Sequence, residues 1–330
     1  MVQHFKTFRI HEDGKTVRSD FEQLSLDDLT EGDVVIETQF SSINYKDALA
    51  GTGKGRILRT SPLVGGIDVA GVVASSANDS FNVGDEVLVT GCGLSETYDG
   101  GYSQYVRARS DWIIPLPAGL TLHDAMALGT AGFTAALAIH QLEHNGLVPE
   151  QGPVVVTGAT GGVGSLAVNM LAGLGYETVG VSGKPNAAEL LTPLGVSEVL
   201  PRDAVDYGSR PLEAARWAGA IDSVGGETLA WLTRTMKQWG SIASIGLAGS
   251  HELHTTVMPF ILRGVNLLGI NSVETPRDVR LRVWERLATD LKPSKLNDIA
   301  SQTIEFDQLP EAFEAFMNGT ATGRTVVRIG

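Results

Sequence analysis

The chain opens on short runs in which apolar positions alternate with polar ones or cluster between turns. Met1 to Ile10 alternates like a strand, Val34 to Thr38 and Val69 to Val73 are strand-like, and Gly84-Asp85 is a turn feeding Glu86 to Val89. This first third predicts a small β-barrel. Near Pro115-Leu116-Pro117-Ala118-Gly119 the texture changes, and apolar positions at helical spacing then run from Leu122 to His144. A domain boundary is placed after residue 124.

From Pro153 onward strands and helices alternate, the pattern of a parallel sheet covered on both faces. The predicted strands are Val154 to Thr157, Glu177 to Val181, Ala220 to Ser223, Ser241 to Ile245 and Asn266 to Ile270. The predicted helices include Ser165 to Leu174, Ala187 to Leu194 and Thr228 to Lys237. An amphipathic helix at Leu309 to Met317 and a last strand, Thr325 to Ile329, are assigned back to the first domain. The expected fold is α/β, a doubly wound parallel sheet at 125–292 inserted into a barrel domain formed by 1–124 and completed by 293–330. A length of 330 residues supports two domains, because one core seldom grows that far.

Composition narrows the function. With 43% hydrophobic and 19% charged residues the chain should be globular throughout, and no stretch approaches the roughly 18 apolar residues of a membrane span. The N-terminus lacks the basic-then-apolar layout of a signal peptide, so the cytoplasm is the expected location. A single cysteine, Cys92, excludes an internal disulfide framework and a multi-cysteine zinc site. The net charge of −13 argues against nucleic acid as a partner. Anionic small ligands remain open, since a cleft can focus local positive potential.

The strongest chemical signal is Val154-Val155-Val156-Thr157-Gly158-Ala159-Thr160-Gly161-Gly162-Val163-Gly164, which runs into the apolar helix from Ser165. Glycines let the backbone approach a pyrophosphate, and the free N–H groups at the helix start favour its charge. The strand–turn–helix context makes this a dinucleotide site rather than a tight turn. The second strand ends Val181-Ser182-Gly183-Lys184, where an NAD-preferring site would place an acid. A hydroxyl and a lysine there, with Arg202 after the third strand, suit a 2′-phosphate, so NADPH is favoured over NADH. Solvated surface charge is the plainer reading of Lys184 and Arg202.

These residues resemble the medium-chain dehydrogenase/reductase superfamily over essentially the whole chain, in its zinc-independent quinone-oxidoreductase-like branch. The resemblance is carried by Ser41 to Asp47, Pro62 to Gly71, Gly84 to Val87, Gly100 to Tyr105, Gly129 to Ala135 and the phosphate turn. It implies a Rossmann domain inserted into a GroES-like barrel. Within the branch, Asn44 to Leu49 and Gly66 to Gly71 are similar to the acryloyl-CoA reductases, which use NADPH to reduce acryloyl-CoA to propanoyl-CoA. The cofactor contacts so implied are Tyr45, Thr160, Gly161, Gly162, Val163, Ser182, Gly183, Lys184, Arg202, Leu247, Ile261, Ser272 and Asn318. Zinc-dependent relatives carry Gly-His-Glu where this chain reads Gly66-Ile67-Asp68, and isoleucine cannot ligate. The region from Cys92 to Gln104 also lacks their cysteine cluster, so no metal is expected. Hydride addition to an activated C=C then becomes the natural chemistry.

In that reaction the β-carbon of an enoyl thioester takes the hydride and an acid or water protonates the α-carbon. Tyr45, Asn44, Asp47 and Asp68 lie on the two motifs expected to line the cleft, and Tyr45, Asn44 and Asp68 are the candidate catalytic residues. A structural carboxylate is an equal reading of Asp68. Lys54, Arg56 and Arg59 form a basic run suited to the phosphates of an acyl-CoA, against the plainer reading of a solvated loop. His140-Gln141-Leu142-Glu143-His144 matches an inverted metalloprotease pattern without a third ligand and is rejected, as is the loop sequence His251-Glu252-Leu253-His254. Three readings stand: a short 2-enoyl-CoA reductase, a reductase of quinones or free α,β-unsaturated carbonyls, and a non-catalytic NADPH-binding protein. By analogy with relatives, Asn266 to Ile270 is a suitable edge for a homodimer.

Overall fold

Alternation decides which faces of the first strands are covered. Val34–Ile43 buries Val34, Ile36 and Thr38 in turn while Glu37 between them is exposed. In the computed structural model, which describes residues 4–14 and 16–330, this strand is central to a seven-stranded sheet. The order is Gln302–Glu305, Thr325–Arg328, Val34–Ile43, Asp68–Ser76, Glu86–Thr90, Ile114–Pro115, with Tyr105–Ala108 also paired to Val34–Ile43. A second sheet holds Thr16–Leu24, Phe5–Asp13 and Leu63–Val64. The first three residues of the predicted N-terminal strand lie outside the described residues.

Two compact units result: Met1–Thr130 with Val273–Ala288 and Ala300–Gly330, and Ala131–Ser272 with Thr289–Ile299. The C-terminal helix Leu309–Met317 rejoins the first unit through Phe313, whose ring meets Phe8 edge-on at 5.7 Å. The division differs from the expected one at three places. The helix Leu122–His144 is broken at Gly129 (φ 51°, ψ −156°), and the units separate after Thr130 rather than after 124. Val273–Ala288 belongs to the first unit, because its helix Arg277–Ala288 buries Val283, Trp284 and Leu287 and its Arg280 donates to the Thr90 carbonyl at 2.7 Å. Thr289–Ile299 stays with the second unit, where Lys295 N donates to Asn169 Oδ1 at 3.0 Å.

The expectation that no stretch reaches membrane-spanning length also needs correcting. Leu122–His144 is long and apolar enough by length and composition. However, 78% of its apolar window is buried, so the apolar character serves the core.

The second unit carries six strands, all parallel: Val154–Thr157, Thr178–Ser182, Glu198–Pro201, Trp217–Asp222, Met236–Ser244 and Asn266–Gly269. Numbered along the chain, they lie in the order third, second, first, fourth, fifth, sixth. The order reverses between the first and fourth strands, so a crevice opens outside their carboxyl ends. Val154, Val155 and Val156 are fully buried, as expected of a strand covered on both faces.

Candidate functional site

The phosphate turn lies at that reversal point. Gly158 has φ 61°, a conformation that favours glycine, and Gly161 caps the helix Gly162–Gly173. Gly164 is required for a different reason. A Cβ there would stand 2.4 Å from the Gly158 carbonyl oxygen, so only glycine lets the helix approach the strand so closely. The first intrahelical bond runs from Ser165 N to Gly161 O at 2.9 Å, so the N–H groups of Gly162, Val163 and Gly164 precede it. No acid lies in the first turn to oppose an anion.

The end of the second strand is bonded to this turn. Thr160 Oγ1 and Ser182 Oγ are 2.9 Å apart, and Ser182 Oγ also accepts from Lys184 N at 3.2 Å. A Cβ on Gly183 would lie 2.9 Å from the Arg202 guanidinium carbon, so Arg202 rests directly on that glycine. Partial burial pushes the Lys184 ammonium below its usual range. The structure thus gathers Thr160, Ser182, Gly183, Lys184 and Arg202 into one corner. Leu247 and Ile261 belong to the same unit and are mostly exposed, at 67% and 71%. Ser272 ends the longer segment of that unit, whereas Tyr45 and Asn318 belong to the first.

Sequence reasoning missed Asp222. It ends the fourth strand fully buried, and its Oδ1 accepts from Thr157 Oγ1 at 2.5 Å and from Val224 N at 3.3 Å, while Oδ2 accepts from Gly225 N at 2.8 Å. Burial raises its carboxyl above the usual range, opposed by those bonds. The residue ties the end of the first strand to the loop after the fourth. A Cβ on Gly225 would meet the Ser250 carbonyl oxygen at 2.3 Å, so that loop in turn packs on the one after the fifth strand. An acid at the end of a predicted strand, three residues before Gly225-Gly226, was the available signal.

In the first unit, Asn44 leads into the helix Tyr45–Thr52. Its backbone N–H donates to Asp47 Oδ2 at 2.8 Å, and Asp47 Oδ1 accepts from Ile67 N at 3.1 Å. The Asn44 amide donates to Asp68 Oδ2 at 2.8 Å and to Asp47 Oδ2 at 3.1 Å, and accepts from Arg324 Nη1 at 3.0 Å. Asp68 is fully buried. Its oxygens accept from Ser42 Oγ at 2.6 Å, Thr130 Oγ1 at 2.5 Å and Thr130 N at 3.0 Å, with Arg324 Nη2 at 3.8 Å. Burial first and the Asp68 charge second push the Asp47 carboxyl up to about 7.

A buried polar cluster this fully bonded fixes geometry. Asn44 and Asp68 have their polar atoms committed inside it, which favours the structural reading of Asp68. Tyr45 differs, being 58% exposed. The basic run is not one patch. Lys54 faces Glu314 at 3.7 Å, Arg56 faces Glu12 at 3.6 Å, and Arg59 faces Glu96 at 3.9 Å. Cys92 is half-buried and its thiol is raised by that burial, as suits an unreactive group.

Comparison with known proteins finds one match in the first unit and one that covers most of the second and runs on into Val273–Ala288. Residues 30–118 match the family described as "Alcohol dehydrogenase GroES-like domain", and residues 162–289 match "Zinc-binding dehydrogenase". At position 67, Ile67 is an apolar side chain buried to 4% exposure. The chain is 48% identical to the probable acrylyl-CoA reductase AcuI of Escherichia coli, over 96% of this chain and 97% of that one. It is 46% identical to the putative quinone oxidoreductase YhfP of Bacillus subtilis, over 98% and 99%. The crystal structure of E. coli YhdH with bound NADPH superposes with a TM-score of 0.94 at 45% identity, covering 98% of this chain and all of that one. YhfP has been solved with NAD bound, at a TM-score of 0.95. The phosphate turn, the six-stranded order and identity of this extent lead to one conclusion: the chain belongs to the medium-chain dehydrogenase/reductase superfamily, among the acryloyl-CoA reductases and their quinone-oxidoreductase-like relatives, and is an oxidoreductase.

Proposed function

We propose that this protein is an NADPH-dependent reductase that converts short 2-enoyl-CoA thioesters, acryloyl-CoA first, to their saturated forms. The observation that carries the cofactor choice is the corner formed by Ser182, Gly183, Lys184 and Arg202, in which no acid stands where a ribose 2′-hydroxyl would need one. The relatives named for acrylyl-CoA reduction, and the related structure bearing NADPH, support the same reading.

NADPH, when bound, supplies the hydride. The N–H groups of Gly162, Val163 and Gly164 would hold its pyrophosphate, and Lys184 and Arg202 its 2′-phosphate. Asp222 holds the loop after the fourth strand in place beside that turn. Asn44 and Asp68 act as positioning residues, since their bonds fix the start of the Tyr45 helix. Tyr45, exposed at the first position of that helix, is the member of the three with surface to offer cofactor or substrate. The edge strand Asn266–Gly269, with Leu267 and Trp239 exposed, supports a homodimer formed by strand pairing.

The name of the Bacillus relative favours a second reading, reduction of quinones or free α,β-unsaturated carbonyls. NADPH consumption measured in parallel with acryloyl-CoA, crotonoyl-CoA and a small quinone decides between them. The highest kcat/KM is expected for acryloyl-CoA. A quinone preference overturns the proposal, and no acceleration by any acceptor points to a non-catalytic NADPH-binding protein.

A further inference from the structure

The first unit contains a cavity of about 540 Å³ that none of the chemistry above uses, within the range of small-ligand sites. Its walls come from the loop after Glu86–Thr90, the segment 109–112 and the start of the helix Arg277–Ala288. Two properties stand out. Tyr98 and Trp112 pair there with ring centroids 4.7 Å apart, and Arg109 lies over the Trp112 ring at 5.5 Å. Four arginines also line it, Arg59, Arg109, Arg277 and Arg280, against three carboxylates.

With Lys46, which reaches the wall, five cations meet the three carboxylates Glu96, Asp111 and Glu274, so the charge does not cancel. Glu96 is shared between Lys46 Nζ at 2.5 Å and Arg59 Nε at 3.9 Å, so two cations meet one acid. Asp111 pairs with Arg109 at 3.2 Å. Arg277 donates to the backbone carbonyls of Asp111 at 2.8 Å and Ile113 at 2.9 Å, and has no carboxylate partner among the described residues. Backbone carbonyls orient its guanidinium and leave its full charge facing outward. An aromatic pair flanked by excess guanidinium charge suits a base stacked beside several phosphates.

The cavity is also bonded to the cluster that carries Tyr45. Lys46 belongs to the Tyr45 helix and reaches Glu96 on the cavity wall, while Gly91 N donates to the Ile67 carbonyl at 3.0 Å. Ile67 N in turn donates to Asp47. We propose that this cavity holds the nucleotide end of the CoA thioester, with the adenine on Tyr98 and Trp112 and the phosphates on Arg59, Arg109 and Arg277. The assignment rests on the enoyl-CoA reading above. It also revises the basic run, since Arg59 serves here and Lys54 and Arg56 do not.

The test compares acryloyl-CoA with S-acryloyl-N-acetylcysteamine, which keeps the thioester and lacks the nucleotide, in the full-length protein and in Arg59→Ala, Arg109→Ala and Arg277→Ala. Each substitution is expected to raise the KM for acryloyl-CoA roughly tenfold, the worth of one hydrogen bond to a charged group. The KM values for the truncated thioester and for NADPH should move less than twofold. Adenosine 3′,5′-bisphosphate should compete with acryloyl-CoA in the wild type and less well in the variants. Arg59, the most weakly held of the three, keeps the test valid if Arg277→Ala fails to fold. An unchanged KM for acryloyl-CoA, or an equal rise for both thioesters, overturns the subsite while wild-type turnover leaves the enoyl-CoA reading standing. A rise confined to the KM for NADPH also overturns it, by showing that the cavity serves the cofactor's adenosine phosphate. A wild type that reduces quinone and neither thioester fails the enoyl-CoA reading itself, and the subsite with it.

Discussion

One methyl group added at Gly129 probes a tightly packed point of the first unit, beside the buried Asp68 cluster. The backbone there, φ 51° and ψ −156°, lies in a region essentially reserved for glycine, and forcing another residue into it costs about 1–3 kcal/mol. The new Cβ would stand 2.6 Å from Arg324 Nη2, 2.6 Å from Asp68 Oδ2 and 2.8 Å from Ser42 Oγ. None of these atoms can retreat without releasing a buried partner, and overpacking of that kind adds about 1–3 kcal/mol. Gly129→Ala is therefore expected to cost about 2–6 kcal/mol, which for a unit of this size lowers Tm by about 2–4 °C for each kcal/mol. Gly84→Ala is the control in the same unit. Its φ is 98° and nothing lies within 4 Å of a Cβ, so it carries backbone strain alone, about 1 kcal/mol. Differential scanning calorimetry of both variants reads the difference. Equal Tm shifts would refute the claim that the cluster around Asp68 has no slack.

Further outcomes follow from the same geometry. Lys184→Ala and Arg202→Ala should each reduce kcat/KM with NADPH by about 10–100-fold and with NADH by less than threefold, the loss of one charge-assisted bond to a phosphate; equal losses would remove the 2′-phosphate assignment. Burial and the Asp68 charge raise the Asp47 carboxyl from its ordinary 3.8 to about 7, so the folded chain keeps a proton that the unfolded chain releases. Stability from this group is full below about pH 4 and is lost as pH rises through 7, by about 4 kcal/mol in all. Asp47→Asn should accordingly flatten the fall in Tm between pH 5 and pH 8, and an unaltered slope would assign the pH dependence elsewhere. Asp222→Ala should raise the Kd for NADPH about tenfold or more by releasing Thr157 and Gly225 together, measured by fluorescence titration. Leu267→Arg should convert a dimer to a monomer in sedimentation velocity; a wild-type monomer removes the edge-strand proposal.

What could be read from the sequence follows from how local each feature is. The phosphate turn was legible because its strand, glycines and helix are contiguous, and five of the six strands of the second unit overlap their predicted ranges, whereas Glu198–Pro201, only partly buried, was not among the predicted strands. The Asp68 cluster was not. Its partners come from positions 42, 44, 130 and 324, brought together only by the barrel and the returning tail. The reverse error befell Lys54, Arg56 and Arg59: neighbours in sequence, they face three different acids. The helix Arg277–Ala288 escaped notice for a related reason. Its apolar face is narrow, and it buries an arginine whose partner, Thr90, is far away along the chain.

Asp222 bears on how portable the cofactor site is. The glycine motif and its helix form a continuous segment that could be excised and grafted onto another parallel sheet. The graft would bring the N–H donors but not the carboxylate that clamps Thr157 to the loop after the fourth strand. That clamp arrives from more than sixty residues downstream, on the far side of the point where the strand order reverses. Dinucleotide binding in this chain should thus depend on two halves of one sheet, joined by the ladder between the first and fourth strands and tied at its end by one buried side chain. Exchange of the motif alone should transfer the shape of the turn without its strength.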